Sequence, residues 1–228
     1  MAAPKAYDQP TLNGAWEAFV AHVPTILLIW IATAVLSGVG FAVYSLITLL
    51  GLGIAGGGSA GDHALGLAAA LGQLGQLPFT VLSSLVGVLF IAVPALHYDS
   101  GDVITVQAAF AALMRRPLRY LLAGVLFTLV LTIGFLLCIV PGIVVALVMP
   151  IYVNRIFLTD QSITDAFAAS FRAVYRSEQG RTYAGIEILA WLLVVLVSVC
   201  TCGLGALLAV PVSSFYLQNA AYNKGVIS

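Results

Sequence analysis

Residues 24–50 (PTILLIWIATAVLSGVGFAVYSLITLL) carry no charged side chain from end to end. A helix crossing the hydrocarbon core of a bilayer needs about 20 mostly apolar residues, and this run exceeds that. Residues 77–96 form a second such run. Residues 120–158 and 182–222 are each too long for one crossing, and each is interrupted by helix-ending residues: Pro141-Gly142 in the first, Cys202-Gly203-Leu204-Gly205 in the second. Dividing them there predicts six spans, near residues 24–50, 77–96, 118–140, 142–157, 182–201 and 206–221. A membrane β-barrel would alternate in segments of about 10 residues, and these unbroken runs do not.

Composition closes off the other classes. Hydrophobic residues make up 61% of the 228 and charged residues 8%, against about 45–50% and about 25% in soluble domains. Too little polar surface remains to coat a water-soluble sphere, and disorder, a coiled coil, nucleic-acid binding and a secreted disulfide scaffold are excluded as the main theme. Nine basic and nine acidic residues cancel, so placement matters more than net charge. Lys5, the group Arg115, Arg116 and Arg119, the group Arg155, Arg172, Arg176 and Arg181, and Lys224 all fall on one side of the six-span layout. The loops of the other side, 51–76, 141–142 and 202–205, hold none. Basic residues accumulate in cytoplasmic loops, so both termini are expected in the cytoplasm. The polar residues 1–22 and the long first run predict a retained signal anchor. The Gly/Ala-rich stretch 51–76 reads as an outer loop, flexible or partly helical.

The chain also echoes itself. TLNGAWEAFVAHVP from Thr11, TVQAAFAALMRRP from Thr105 and SITDAFAASFRAVYR from Ser162 each begin with a hydroxyl residue suited to a helix N-cap, with an aromatic five residues on: Trp16, Phe110 and Phe167. Apolar residues follow at helical spacing. YDSGDVIT from Tyr98 resembles YNKGVIS from Tyr222. The expected fold is an all-α integral membrane protein in a single domain, 1–228. It has three hairpins of spans, each preceded by a cytoplasmic-side amphipathic helix, in repeats of about 11–104, 105–161 and 162–228. Interfacial helices of this kind place aromatics in the headgroup boundary and arginines on lipid phosphates; a docking surface for another protein is the alternative. Arg115, Arg116, Arg119, Arg172, Arg176 and Arg181 are the candidate headgroup or partner contacts.

Charges within spans count as functional-site candidates. Arg155 and Glu187 qualify, at similar depth, and either pair with each other or snorkel separately to the interface. His22, His63 and His97 form no spacing motif; Asp62-His63 offers only two adjacent ligands, so no metal site is expected. Cys138, Cys200 and Cys202 lie near the outer ends of spans three and five, where Cys138 either bridges one of the other two or all three pack as small residues. Small residues at fourfold spacing (Ala34, Gly38 and Ala42; Gly134, Cys138 and Gly142; Ser198, Cys202 and Ala206) suit close helix approach. Pro94, Pro150 and Pro211 place one proline in each second span, where kinks shape the bundle or open a cavity. No catalytic signature is present among GxSxG, Walker, GxGxxG or HExxH patterns.

The stretch 136–176 (LLCIVPGIVVALVMPIYVNRIFLTDQSITDAFAASFRAVYR) resembles a broad family of prokaryotic six-helix membrane proteins, which includes the membrane domain fused to some glycerophosphodiester phosphodiesterases and stand-alone inner-membrane proteins. The resemblance rests on Cys138, Pro141, Gly142 and Ile143, then on Ala166, Ser170 and Arg172, and on the last hairpin with its closing Tyr222. An acidic residue that many members carry after span four has only Thr159-Asp160 here as its counterpart. The resemblance implies the six-helix fold and a prokaryotic inner or internal membrane. The hydrolase domain is missing, so phosphodiesterase activity is not implied. The functional expectation is a non-catalytic scaffold or accessory subunit of a membrane complex, or a homo-oligomer, interacting with anionic lipids and needing no cofactor. A small transporter or channel for a lipid or other amphiphile is the second reading.

Overall fold

The computed structural model describes residues 3–55 and 61–227. Among them every regular element is helical: a 3-10 turn at Pro4–Tyr7, then α1 (Leu12–Ala21), α2 (Val23–Ala55), α3 (Gly61–Gly87), α4 (Leu89–Ser100), α5 (Val106–Arg115), α6 (Pro117–Leu137), α7 (Ile139–Ala146), α8 (Met149–Leu158), α9 (Ile163–Tyr175), α10 (Glu178–Cys200) and α11 (Ala206–Asn223). Five segments are long and apolar enough to cross a membrane: Val23–Gly53, Leu65–Ser100, Pro117–Leu137, Ile139–Leu158 and Glu178–Cys200. The sixth expected span coincides with α11, whose second half (FYLQNAAYN) is too polar for that criterion. The chain forms two compact units, residues 27–87 and the remainder.

In the smaller unit the expected outer loop is mostly helix. α2 runs on to Ala55 and α3 begins at Gly61, so α2 alone is about 50 Å long at 1.5 Å per residue, well beyond the roughly 30 Å of hydrocarbon. Glycine costs a helix about 1 kcal/mol relative to alanine. Here Gly72 and Gly75 let α3 lie directly on α2: a Cβ on Gly72 would stand 2.7 Å from Thr48 Oγ1, and one on Gly75 2.5 Å from Ile47 Cδ1. Ser37 and Ser83 hydrogen-bond across the same seam at 2.8 Å. The stripe Ala34, Gly38 and Ala42 is exposed, so the close approach comes from the neighbouring face of α2.

In the larger unit two prolines each end the preceding helix four residues upstream of themselves. A helical proline clashes with the carbonyl of the residue four before it and offers that carbonyl no N–H. Pro141 therefore ends α6 at Leu137, with Cys138 extended at the junction, and Pro150 ends α7 at Ala146. The expected turn at Pro141-Gly142 lies inside α7. Gly134 and Gly142 do serve close approach, since a Cβ on Gly134 would be 3.1 Å from Gly142 Cα. The third hairpin turns at Thr201–Gly205 as expected, with Cys202 (φ 51°) and Gly203 (φ 91°) in the left-handed region. Thr11, Thr105 and Ser162 each accept the capping N–H of α1, α5 and α9. Both Tyr-x-x-Gly echoes end a helix on a left-handed glycine, Gly101 and Gly225, followed by the buried Ile104 and by the buried Val226 and Ile227.

α11 is the centre of this unit. It packs against α1, α4, α8, α10 and the N-terminal 3-10 turn, and Phe215 and residues 217–222 are buried. Its amides hold the neighbours: Gln218 accepts from Asn154 Nδ2 at 3.2 Å and donates to the Pro150 carbonyl at 3.0 Å, Asn219 donates to Ala6 O at 2.9 Å, and Asn223 to Tyr7 O at 2.9 Å. Asn154 also donates to the Tyr222 hydroxyl at 3.3 Å.

His22 is fully buried. Its Nδ1 donates to Ala18 O at 2.7 Å and its Nε2 accepts from the Ile104 N–H at 2.9 Å, which fixes a neutral tautomer. The His97 ring lies edge-on to it, 4.7 Å between centroids. Burial pushes the His22 imidazole below its ordinary 6.5; the bond to the Ala18 carbonyl opposes this and the neighbouring His97 adds to it. An unfolded His22 then takes up a proton before the folded one does, so folding stability falls as pH drops below about 6.5 and stops falling at the lowered folded value. Thermal unfolding in detergent between pH 7.5 and 5 should show this slope. His22→Gln should be less stable at pH 7.5 by about 1–3 kcal/mol, having lost both bonds, and should show a shallower slope.

Candidate functional site

The expected basic residues gather where the short helices meet the ends of the spans in the larger unit. Arg115 ends α5, Arg116 caps α6 and Arg119 lies in its first turn; Arg172 is in the last turn of α9, Arg176 caps that helix, and Arg181 lies in the first turn of α10. All but Arg119 are exposed. Among the described residues a single ion pair forms, Arg116 with Asp160, both well exposed; such pairs contribute at most about 1 kcal/mol. The other arginines of this face have no carboxylate partner. Arg119 turns inward instead, and its Nη2 donates to the Thr159 carbonyl at 2.8 Å. Thr159 is the C-cap of α8, where the helix dipole is negative. The Arg119 Nε is covered without an acceptor.

Arg155 and Glu187 do not pair. α9 packs against both α8 and α10, and Arg155 lies in the last turn of α8. The Arg155 Nε has no acceptor. Snorkelling does not describe Glu187 either, because it is fully buried and neither carboxyl oxygen has a hydrogen-bond partner. One turn away on the same face of α10, the buried Tyr183 hydroxyl is also unpartnered. Tyr175 at the end of α9 donates to Val144 O at 2.7 Å; burial, with the Glu187 carboxyl adding to it, pushes its phenol up to about 12.

Cys138, Cys200 and Cys202 are free and exposed, so the structure contains neither the bridge nor the buried packing expected of them. Cys138 instead marks the α6–α7 junction and Cys202 the α10–α11 turn. The side chains of Asp62 and His63 lie outside the described ones. Among the described residues no group of three His, Cys, Asp or Glu side chains gathers as metal ligands would. A cleft of about 310 Å³ lies between α10 and α11 beside Leu12, with Leu193, Val197, Val212 and Tyr216 among its lining residues. Glu187 is not among them, so the buried acid and the cleft occupy different faces of α10.

Sequence reasoning missed Tyr183. The available signal was its i, i+4 spacing from Glu187, which puts both polar tips on one helical face. It also missed the joint action of Asn154, Gln218 and Tyr222, although amides within apolar spans are the natural markers of buried polar contacts.

A buried polar group without a partner costs about 1–3 kcal/mol. Glu187→Met should therefore raise detergent stability by an amount of that order, measured by thermal unfolding. Combined with Arg155→Gln, the effects should add to within about 0.5 kcal/mol, as for residues that do not touch. A strong loss on Glu187→Met, rescued by the second substitution, would mean that the two charges meet after all.

No family model, curated protein or solved structure matches this chain.

Proposed function

We propose that this chain is a non-catalytic multi-pass membrane protein that holds anionic lipid headgroups on its arginine-rich face and serves as scaffold or accessory subunit of a membrane complex. The observation that carries this reading is the set of exposed arginines without ion-pair partners beside the ends of apolar helices. Arg115, Arg172, Arg176 and Arg181 are exposed beside the ends of apolar spans, and the one ion pair among the described residues engages only Arg116. Each such arginine contributes on the order of 1 kcal/mol at an anionic bilayer surface, screened beyond a Debye length.

The same reading takes α11 as a sixth crossing whose polar half is sheathed by protein. That completes three hairpins, each following a hydroxyl-capped short helix, and puts both termini in the cytoplasm beside the arginines. The threefold repeat, the likeness to the prokaryotic six-helix family and residence in an inner or internal membrane belong to this proposal.

A second reading, a small transporter or channel for a lipid or other amphiphile, is favoured by one observation: the unpartnered, fully buried Glu187 within a span. Against it, Glu187 does not line the α10–α11 cleft, so the buried acid and the cleft do not form one path.

Two measurements test the proposal. In a background without native cysteines, a single cysteine at residue 63 should label from outside, and cysteines at 5 and 224 only after permeabilisation; the reverse pattern sinks the topology. Replacing Arg115, Arg172, Arg176 and Arg181 together by glutamine should reduce the anionic lipid that co-purifies in mild detergent, and the loss should shrink at high salt. Retention unchanged by all four substitutions would assign these arginines to a protein partner.

A further inference from the structure

We propose that Glu187 and Tyr183 form a binding site for one small monovalent cation, a proton or a sodium ion, within the apolar segment Glu178–Cys200. No arginine enters this inference, so it goes beyond the headgroup-holding reading and does not depend on it.

α10 buries one face. Gly180, Tyr183, Ala184 and Glu187 are its buried residues near the start, and spacings of three and four put such residues on one side of a helix. At Gly180 that side is pressed against the end of α9, because a Cβ there would collide with the carbonyls of Ala173 and Val174. One turn further, the Tyr183 side chain is fully buried and its hydroxyl has no partner; one turn beyond that, the same holds for Glu187 and both its carboxyl oxygens. At 1.5 Å per residue Glu187 lies about 14 Å from the Glu178 end of the helix and about 20 Å from the Cys200 end. A glutamate side chain spans neither distance, so this carboxyl has no route to water along its own helix.

The ionisable groups of the packed elements are engaged elsewhere. α10 packs against α9 and α11. On α9, Asp165 accepts from Ser162, Tyr175 donates to the Val144 carbonyl, and Arg172 and Arg176 are exposed. On α11, Tyr216 lines the cleft on the other face of α10, Tyr222 accepts from Asn154, and Lys224 caps the end of the helix. On α10 itself, Glu178 and Arg181 are exposed in the first turn. Among the described residues no base pairs with Glu187.

A buried carboxylate without a counter-ion is among the costliest groups a span can hold. A bound cation removes that cost and gives three idle oxygens a common partner. Oxygen donors suit hard cations, and one carboxylate supplies one negative charge, which matches a monovalent ion. A divalent or transition-metal site would draw on further ligands, and no group of three His, Cys, Asp or Glu side chains gathers among the described residues. Both side chains are fully covered, so the guest is of atomic size rather than an organic cation.

The test uses the full chain in a neutral detergent and the apolar reagent dicyclohexylcarbodiimide. A protonated carboxyl adds to it, the oxygen bonding to the carbodiimide carbon and the proton passing to its nitrogen, and peptide mass spectrometry locates the adduct. At pH 7 Glu187 should be labelled and the exposed Glu17 should not. Sodium chloride compared with choline chloride at equal ionic strength separates the two ions. Protection from labelling with a raised unfolding temperature identifies sodium, and labelling indifferent to sodium identifies the proton. Glu187→Gln should abolish the labelling and any sodium-dependent rise. Tyr183→Phe should weaken the hold on the ion about three- to tenfold, the scale of one lost polar contact. That reads as more sodium for half-protection, or as a labelling midpoint lower by about half to one pH unit. If Glu187 stays unlabelled at pH 7 and sodium changes nothing, the site is overturned. If Tyr183→Phe moves neither midpoint, the phenol takes no part and the pair is overturned. The fourfold arginine variant bears on lipid retention alone, so this site and the headgroup reading fail by separate results.

Discussion

The larger unit depends on hiding one helix from lipid. α11 carries Gln218, Asn219, Tyr222 and Asn223 along its second half, and each polar tip would cost several kcal/mol facing hydrocarbon. Protein on nearly every side removes that cost. α8 supplies Asn154 and the Pro150 carbonyl, and the N-terminal segment supplies the carbonyls of Ala6 and Tyr7. Those same bonds tie the first residues of the chain to the last helix, so the two ends of the sequence meet in the core. Polar side chains here act as glue between helices whose apolar faces have no preference for one another over lipid tails.

The remaining polar groups divide by whether the chain satisfies them. His22, Asn154, Gln218 and Asn219 are buried and bonded, and they organise the fold. Glu187, Tyr183, and the Nε groups of Arg119 and Arg155 are buried without partners. Satisfied buried groups are the rule in folded proteins, and the exceptions concentrate where something else is to be bound or moved. Among the described side chains of the larger unit the exceptions are an acid and a phenol on one face of α10, Arg119 in the first turn of α6 and Arg155 in the last turn of α8; in the smaller unit the Thr33 and Thr48 hydroxyls of α2 are unpartnered too.

Backbone punctuation was legible from residues alone, with one systematic shift. Pro141 reads as a breaking residue and Pro150 as a kink within one span, but both break the helix, at Leu137 and Ala146. The steric conflict is with the carbonyl four residues upstream, so a proline can remain in the first turn of the following helix. The stretch 51–76 misled for a related reason. Its glycines read as loop residues, yet Gly72 and Gly75 lie in a helix because α2 passes close enough to need them. A glycine required by a neighbour looks the same in sequence as a glycine required by a turn.

The sequence by itself determined what local chemistry and the bilayer dictate: an all-helical membrane chain, the hydroxyl caps at Thr11, Thr105 and Ser162, and the turn at Cys202–Gly205. Each follows from a run, a spacing or a residue type that acts within a few positions of itself. Tertiary structure decided which face of each span meets which neighbour. It packed α9 against both α8 and α10 and left Arg155 and Glu187 unpaired, left the Ala34–Gly38–Ala42 stripe outside and buried His22. The physical reason is that a span apolar all round has no polar side to set its rotation about its own axis. In lipid the faces of such a helix are nearly equivalent, and only packing and hydrogen bonding with other helices choose among them.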